Sequence, residues 1–239
     1  MEVSPFYKIK CLILGNTNVG KTSLFRFIHH DSHKPTEPTI GLAFVATDIE
    51  LEEYPLSNPS KLPKFYYENV RTDRKLQAVK LHCWDASGNR RFEKIIDFYL
   101  RDVDICLLAF SMNDKESWDK IPRWREEVMK HKKYDELPLF ILIGTKSDIT
   151  PYTVSINDIR KVSEEWKCKY YILSAVQYDS AANIRAMIYN TVQHFHDLML
   201  LTAHENKPLP EHVTISAYEK KNNYIDLDVE SSNKMCCFQ

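Results

Sequence analysis

The stretch Tyr7-Lys-Ile-Lys-Cys-Leu-Ile-Leu-Gly15-Asn-Thr-Asn-Val-Gly20-Lys21-Thr22-Ser23 decides the fold. Residues 7–14 read as a short buried strand that runs directly into the glycine loop, and residues 22–30 read as a helix. The loop between them reads Gly-x4-Gly-Lys-Thr, the pattern of a phosphate cradle between strand and helix. Its consecutive backbone N–H groups point at phosphate oxygens, Lys21 neutralises charge at the β/γ positions, and the Thr22 hydroxyl coordinates Mg²⁺. The phosphate-facing set is therefore Gly15, Asn18, Val19, Gly20, Lys21, Thr22 and Ser23. The chain has only five glycines, whereas an average protein carries about 7%. Gly15, Gly20, Gly41, Gly88 and Gly144 all fall in loop motifs of one kind. Each is expected where backbone approaches a phosphate or turns sharply beside a ligand.

Outward from this loop, strand-like and helix-like segments alternate to about residue 200. Residues 42–51 and 76–84 are β-rich. Residues 103–110 and 139–143 are apolar runs suited to central parallel strands. Residues 115–131 and 156–166 read as surface helices, 170–173 as a last short strand, and 181–201 as a last amphipathic helix. The pattern predicts an α/β, doubly wound sheet of six mostly parallel strands flanked by helices, with ligands at the carboxyl ends of the strands. Two segments fall outside it. Residues 52–75 hold three prolines and a Phe-Tyr-Tyr cluster, and read as an insertion between two strands. Residues 202–239 are polar and aperiodic, and read as a flexible tail on a domain spanning 1–201.

The other motifs follow strands. Asp85-Ala-Ser-Gly88 puts a carboxylate where it reaches Mg²⁺ through water, and the Gly88 N–H where it meets a γ-phosphate. Thr39 is a second hydroxyl ligand to Mg²⁺, with its own N–H on the γ-phosphate. The metal set is thus Thr22, Thr39 and Asp85. Thr145-Lys146-Ser147-Asp148 reads the base. Asp148 accepts from guanine N1–H and the exocyclic amine, while adenine offers neither donor and leaves the carboxylate unpaired. Lys146 packs its stem over the base. Ser174-Ala175-Val176 supplies the Ala175 N–H for guanine O6. Expected cofactors are GTP/GDP and Mg²⁺.

The order and spacing of these motifs resemble the Ras superfamily of small GTP-binding proteins over residues 7–201, and within it the Rab family most. The residues that carry the likeness are Thr39-Ile-Gly-Leu-Ala-Phe44, Lys80-Leu-His-Cys-Trp-Asp85, Arg91-Phe92, Phe98-Tyr99 and Asn113-Asp-Lys-Glu-Ser-Trp118. The resemblance implies a monomeric P-loop G domain whose Phe44, Trp84 and Tyr99 form the surface read by effectors. It also implies an exchange factor, an activating protein, and escort and dissociation-inhibitor proteins. The chain departs from the family pattern at Thr145 for asparagine, Val176 for lysine, Ser87 for alanine and Arg90 for glutamate. The sharpest departure is Asn89, where the family places the glutamine that orients the attacking water. An amide one methylene shorter cannot hold water in the same place, so slow intrinsic hydrolysis is expected from a catalytic set of Lys21, Thr39, Gly88 and Asn89. Rab-type activating proteins supply arginine and glutamine in trans. Thr17 and Asn18 lean over the γ-phosphate from positions that smaller residues often occupy.

Lys+Arg and Asp+Glu nearly balance, with a formal net charge of -1, so nothing points to nucleic acid. No apolar run approaches the roughly 20 residues of a membrane span. No secretory leader is expected, and Glu2 excludes N-myristoylation. Cys11, Cys83, Cys106 and Cys168 lie in or beside strand-like runs and are expected as buried reduced thiols. Cys236 and Cys237, in the ending Cys-Cys-Phe-Gln, are lipidation candidates. Cys236 alone would be farnesylated as a C-a-a-X box, or both would be geranylgeranylated as a Rab tail. The scarcity of basic residues after 202 favours two chains. His29, His30 and His33 read as a solvated face. The expected function is a GTP/GDP switch on the cytoplasmic face of an endomembrane, acting in vesicle traffic. The alternative is a GTP-binding interaction module with little turnover. A kinase acting on a small molecule would leave Asp85 and Asp148 unexplained.

Overall fold

The computed structural model describes residues 8–29, 37–51, 77–131, 138–177 and 179–205. The whole of the 52–75 insertion, His30, His33, the tail beyond 205 and both terminal cysteines lie outside them.

Six strands form one sheet: β1 (Lys8–Leu14), β2 (Leu42–Leu51), β3 (Gln77–Ala86), β4 (Ile105–Ser111), β5 (Leu139–Thr145) and β6 (Lys169–Ile172). Their order is β2-β3-β1-β4-β5-β6. The β2–β3 pair is antiparallel, and every other neighbouring pair is parallel. The expected doubly wound fold is therefore present.

Six helices cover the sheet among the described residues: α1 (Lys21–His29), α2 (Glu93–Tyr99), α3 (Lys115–Asp119), α4 (Ile121–Met129), α5 (Ile156–Trp166) and α6 (Ser180–Glu205). Alternate side chains of each central strand serve opposite layers. Ile9, Cys11, Ile13, Ile105, Leu107 and Ala109 pack with α1 and α6. Leu12, Leu14, Cys106, Leu108 and Phe110 pack with α2, α3, α4 and α5. All seven residues of β4 are buried, which is why its sequence is a continuous apolar run rather than an alternation. Each leucine or isoleucine buried there contributes roughly 1.5–3 kcal/mol. Cys11, Cys83, Cys106 and Cys168 are buried and unbridged, as expected.

Four features differ from the sequence expectation. The helix expected over 115–131 is two, α3 and α4, meeting at Lys120, with Pro122 in the first turn of α4. Proline lacks the N–H and clashes with the carbonyl four residues back, so it is tolerated only at a helix start. A 3₁₀ turn, Arg90–Phe92, leads into α2, an unexpected helix that buries Ile96. β3 runs on to Ala86, so Asp85 lies inside the strand rather than beyond it. The last helix continues to Glu205. No helix of the described residues is long and apolar enough to cross a membrane.

Candidate functional site

The phosphate loop leaves β1 tight against β4. A Cβ on Gly15 would lie 2.1 Å from the Ala109 carbonyl oxygen, so only glycine fits there. The loop then turns through left-handed backbone at Asn18 (φ 62) and Gly20 (φ 95). Thr17 and Asn18 are exposed above it, Val19 is buried, and Ser23 lies half-buried in the first turn of α1. Amides at the start of α1 have no carbonyl of their own helix to bond, which leaves them for an anion. Lys21 is buried, and its Nζ donates to the Asn16 carbonyl at 2.6 Å. Burial pulls its pKa down to about 8, against the opposing charge of Asp85. A buried cation among carbonyl oxygens is the complement of a phosphate.

The three sequence-predicted metal ligands meet beside it. Thr22 Oγ1 donates to Asp85 Oδ2 at 2.6 Å, Thr39 Oγ1 donates to the same oxygen at 2.8 Å, and the two hydroxyl oxygens are 2.8 Å apart. With the Asp85 carboxyl ionised, two hydroxyl protons serve three oxygen contacts, so one contact holds no proton. Asp85 is fully buried, and its Oδ1 has no hydrogen-bond partner among the described residues. Burial pushes its carboxyl up, while the Thr22 and Thr39 hydroxyls and Lys21 hold it down. A cation meets both deficits. An octahedral Mg²⁺ with bonds of 2.0–2.1 Å holds neighbouring ligand oxygens about 2.9 Å apart. The donor set of two hydroxyls and a carboxylate, and its spacing, fit that ion.

At the other end, Thr145 closes β5. Its hydroxyl donates to the carbonyl of Val19, in the phosphate loop, and has a second acceptor in Phe110 O at 2.9 Å. Lys146 follows in left-handed backbone (φ 57). Asp148 Oδ1 accepts from Ser174 Oγ at 2.6 Å, and the Val176 N–H reaches the same serine oxygen at 3.1 Å. Ala175 is half-buried and Val176 exposed. The two predicted base-reading segments are thus tied to each other, and Thr145 ties them to the phosphate loop. Gly144 is a correction. It lies within β5, where a Cβ would press on Met112 Sδ at 2.7 Å, so packing rather than a ligand excludes a side chain there.

Gly88 packs on the phosphate loop: a Cβ there would stand 2.2 Å from Thr17 N and 2.3 Å from Asn16 C. The segment is also stitched to the one after Thr39, because Ser87 N–H donates to Gly41 O at 2.9 Å. Asn89 is exposed, and its side chain is engaged locally. Its Oδ1 accepts from Arg91 N–H at 3.0 Å while its carbonyl accepts from Phe92 N–H. It caps the turn that leads into α2.

The predicted aromatic surface is contiguous. Phe44 and Trp84 are cross-strand partners with ring centroids 4.3 Å apart, and Trp84 and Tyr99 follow at 4.8 Å. In the segments that lead to Phe44 and Tyr99, Ile40 is 84% exposed and Phe98 71%. Sequence reasoning missed His82, whose ring meets Phe44 at 5.3 Å; its period-two spacing from Trp84 was the available signal. It also missed Asn16, Arg123 and Trp124. Arg123 pairs with Glu93 at 2.7 Å, joining α4 to α2. Trp124 Nε1 donates to Asn16 Oδ1 at 3.4 Å. A cavity of about 410 Å³ lies among these residues and Thr17, Gly88 and Asn89.

A sequence model of the Ras family matches residues 10–196. Ras-related protein Rab7 of Vigna aconitifolia is 30% identical over 145 residues, covering 59% of this chain and 59% of its own length. Ras-related protein RABA4b of Arabidopsis thaliana is 26% identical over 192 residues, covering 78% and 75%. Ras-related protein RabL of Dictyostelium discoideum is 30% identical over 162 residues, covering 67% and 66%. The matched stretch spans about three fifths of the Rab7 relative.

Proposed function

The chain belongs to the Ras family of small GTPases and is most similar to its Rab members; from that premise we propose that it is a GTP/GDP-dependent switch recruited to a membrane in vesicle traffic, with slow intrinsic hydrolysis. The observation that carries this reading is the convergence of Thr22, Thr39 and Asp85 oxygens within 2.8 Å of one another next to buried Lys21.

Lys21 and the amides of the phosphate loop bind the β- and γ-phosphates. Thr22, Thr39 and Asp85 hold Mg²⁺. Bound there, Mg²⁺ would supply the positive charge that offsets the negative charge developing during phosphoryl transfer. Asp148 reads guanine, held in place by Ser174, and Lys146 lies over the base. Thr39 and Gly88 each lend an N–H to the γ-phosphate. They stand on the two segments joined by the Ser87–Gly41 hydrogen bond, so loss of that phosphate releases both. The ledge of Phe44, Trp84 and Tyr99 is built from the same segments. An effector seated on it reports which nucleotide is bound.

Membrane attachment is assigned to Cys236 and Cys237 in a tail following a domain of residues 1–201. Exchange, activating, escort and dissociation-inhibitor proteins are the expected regulators. A second reading, a GTP-binding module with little turnover, is favoured by one observation: Asn89 Oδ1 is already the acceptor for Arg91 N–H. Single-turnover hydrolysis of bound GTP, with and without a Rab-type activating protein, separates the two. Phosphate release in either condition supports the switch, and none in both supports the module. Co-purification with an adenine nucleotide would refute both.

A further inference from the structure

The aromatic ledge does not end at three rings. Side chains alternate along a strand, so Lys80, His82 and Trp84 of β3 share one face. The register places Lys8 and Lys10 of β1 and Phe44, Ala46 and Asp48 of β2 beside them. His82 meets the Phe44 ring edge-on, giving a continuous run of His82, Phe44, Trp84 and Tyr99. His82 makes no hydrogen bond among the described residues, and it is half-buried.

The charges around it are unbalanced. Lys80 pairs with Asp48 at 2.9 Å, and both remain partly exposed. The Lys10 ammonium donates to the Arg101 carbonyl, and its backbone N–H is taken by Asp104 Oδ2 at 2.7 Å. Exposed Lys8 has no ion pair among the described residues. Around His82 thus stand Lys8, Lys10 and Lys80, with Asp48 already paired to Lys80, Asp104 beside Lys10, and Glu50 further along the same face of β2, opposite Ala78. Partial burial, with Lys8 and Lys80, holds the imidazole below its ordinary pKa, so it is uncharged near neutrality.

We propose that the partner read by this ledge is acidic: it seats an apolar side chain on Phe44 and Trp84 and lays a carboxylate over His82 between Lys8 and Lys80. This rests on reading the ledge as the partner surface, and it names the chemistry of the partner. The arriving carboxylate offsets the charge of Lys8 and Lys80 and lies directly against the imidazole, so His82 takes up a proton and donates to it, and association couples to pH.

The test uses the full chain loaded with a non-hydrolysable GTP analogue. A random peptide library displayed on phage is selected against it, with the GDP-loaded chain as counter-selection. Enriched peptides are expected to combine an aromatic or aliphatic anchor with Asp or Glu. Their affinity should fall about tenfold in a K8E/K80Q double variant, whose nucleotide affinity stays unchanged. It should rise about fivefold between about pH 8 and about pH 6, and His82→Gln should abolish that rise. Peptides that lose binding on Phe44→Ala but ignore K8E/K80Q and His82→Gln would overturn the acidic partner and leave the ledge standing. If no peptide prefers the GTP-loaded chain, the ledge reading fails, and the acidic partner with it.

Discussion

Replacing Asp148 by asparagine tests the base-reading site most directly. Ser174 Oγ donates to Asp148 Oδ1 at 2.6 Å, and that contact fixes how an amide would sit. The asparagine oxygen stays towards Ser174, and its NH₂ turns to the base edge. Guanine presents two donors there, N1–H and the exocyclic amine. The variant loses two hydrogen bonds to a charged acceptor, each contributing about 1.5–3 kcal/mol. It also gains a donor facing a donor. The expected loss is about 3–6 kcal/mol, or about 10²- to 10⁴-fold in GTP and GDP affinity. Xanthine carries a carbonyl in place of the amine, which the new NH₂ can bond, so xanthosine nucleotides should bind better than guanosine nucleotides. Displacement of a fluorescent nucleotide analogue, titrated with both series, reads both effects. Guanosine nucleotides bound within tenfold of wild type, with no gain for xanthosine, would mean that Asp148 does not contact the base.

Thr145 has one hydroxyl proton for two carbonyls, Val19 O and Phe110 O. Asparagine carries two N–H donors, so Thr145→Asn should slow GDP dissociation about 3- to 10-fold; an unchanged off-rate in stopped flow would refute the shared-proton argument. Asn89→Ala should cost about 1 kcal/mol of stability by loss of a cap, yet leave intrinsic hydrolysis within about twofold. A larger fall in single-turnover rate would show that the amide serves the water after all. The Lys21 pKa of about 8 lies below its ordinary value, so in the nucleotide-free protein its charge is a burden below that pH and is relieved as pH rises through it. Nucleotide phosphate restores the charge, so binding near pH 8.5 should take up about 0.7 proton per nucleotide, measurable by calorimetry in buffers of different ionisation enthalpy. Lys21→Met should abolish that uptake. Burial holds His194 and His196 at about 4. Their folded pKa values lie below the unfolded ones, so stability is complete above about 6.5 and is lost as pH falls towards 4. Urea unfolding across that range should show the decline, and His194→Gln should blunt it.

The parts legible in the sequence were those with local causes. A strand, a glycine loop and a helix in immediate succession leave little freedom, and the apolar runs of β4 and β5 announce their burial on both faces. Asp85 and Thr39 were readable because each belongs to a short motif whose partners come from the same loop system. Contacts made by residues without a motif were not readable. Trp124 reaches Asn16 from 108 positions away, and Arg123 meets Glu93 only because α2 exists. That helix was missed because Ile96 is its one buried residue within seven, too few for a periodic signal. The two purposes of glycine were also indistinguishable in one dimension. Gly88 lies against the phosphate loop, but Gly144 makes room for Met112.

Asn89 shows how a small change at one position can act twice. Compared with glutamine, its side chain is shorter by one methylene, and in the proposed GTP-bound state that alone would draw the amide away from a water beside the γ-phosphate. The second effect is local. Asparagine, unlike glutamine, is well placed to bond its own backbone two residues on, and here Oδ1 accepts from Arg91 N–H at 3.0 Å. The amide is therefore drawn into the start of the 3₁₀ turn before any substrate arrives. Restoring reach without removing the competing bond would be insufficient; glutamine does both, because its extra methylene disfavours that short ring. Asn89→Gln should accordingly raise intrinsic hydrolysis about tenfold, whereas Asn89→Ala should not. If both variants hydrolyse GTP at the wild-type rate while an activating protein accelerates all three alike, position 89 is only a cap, and turnover comes wholly from the partner.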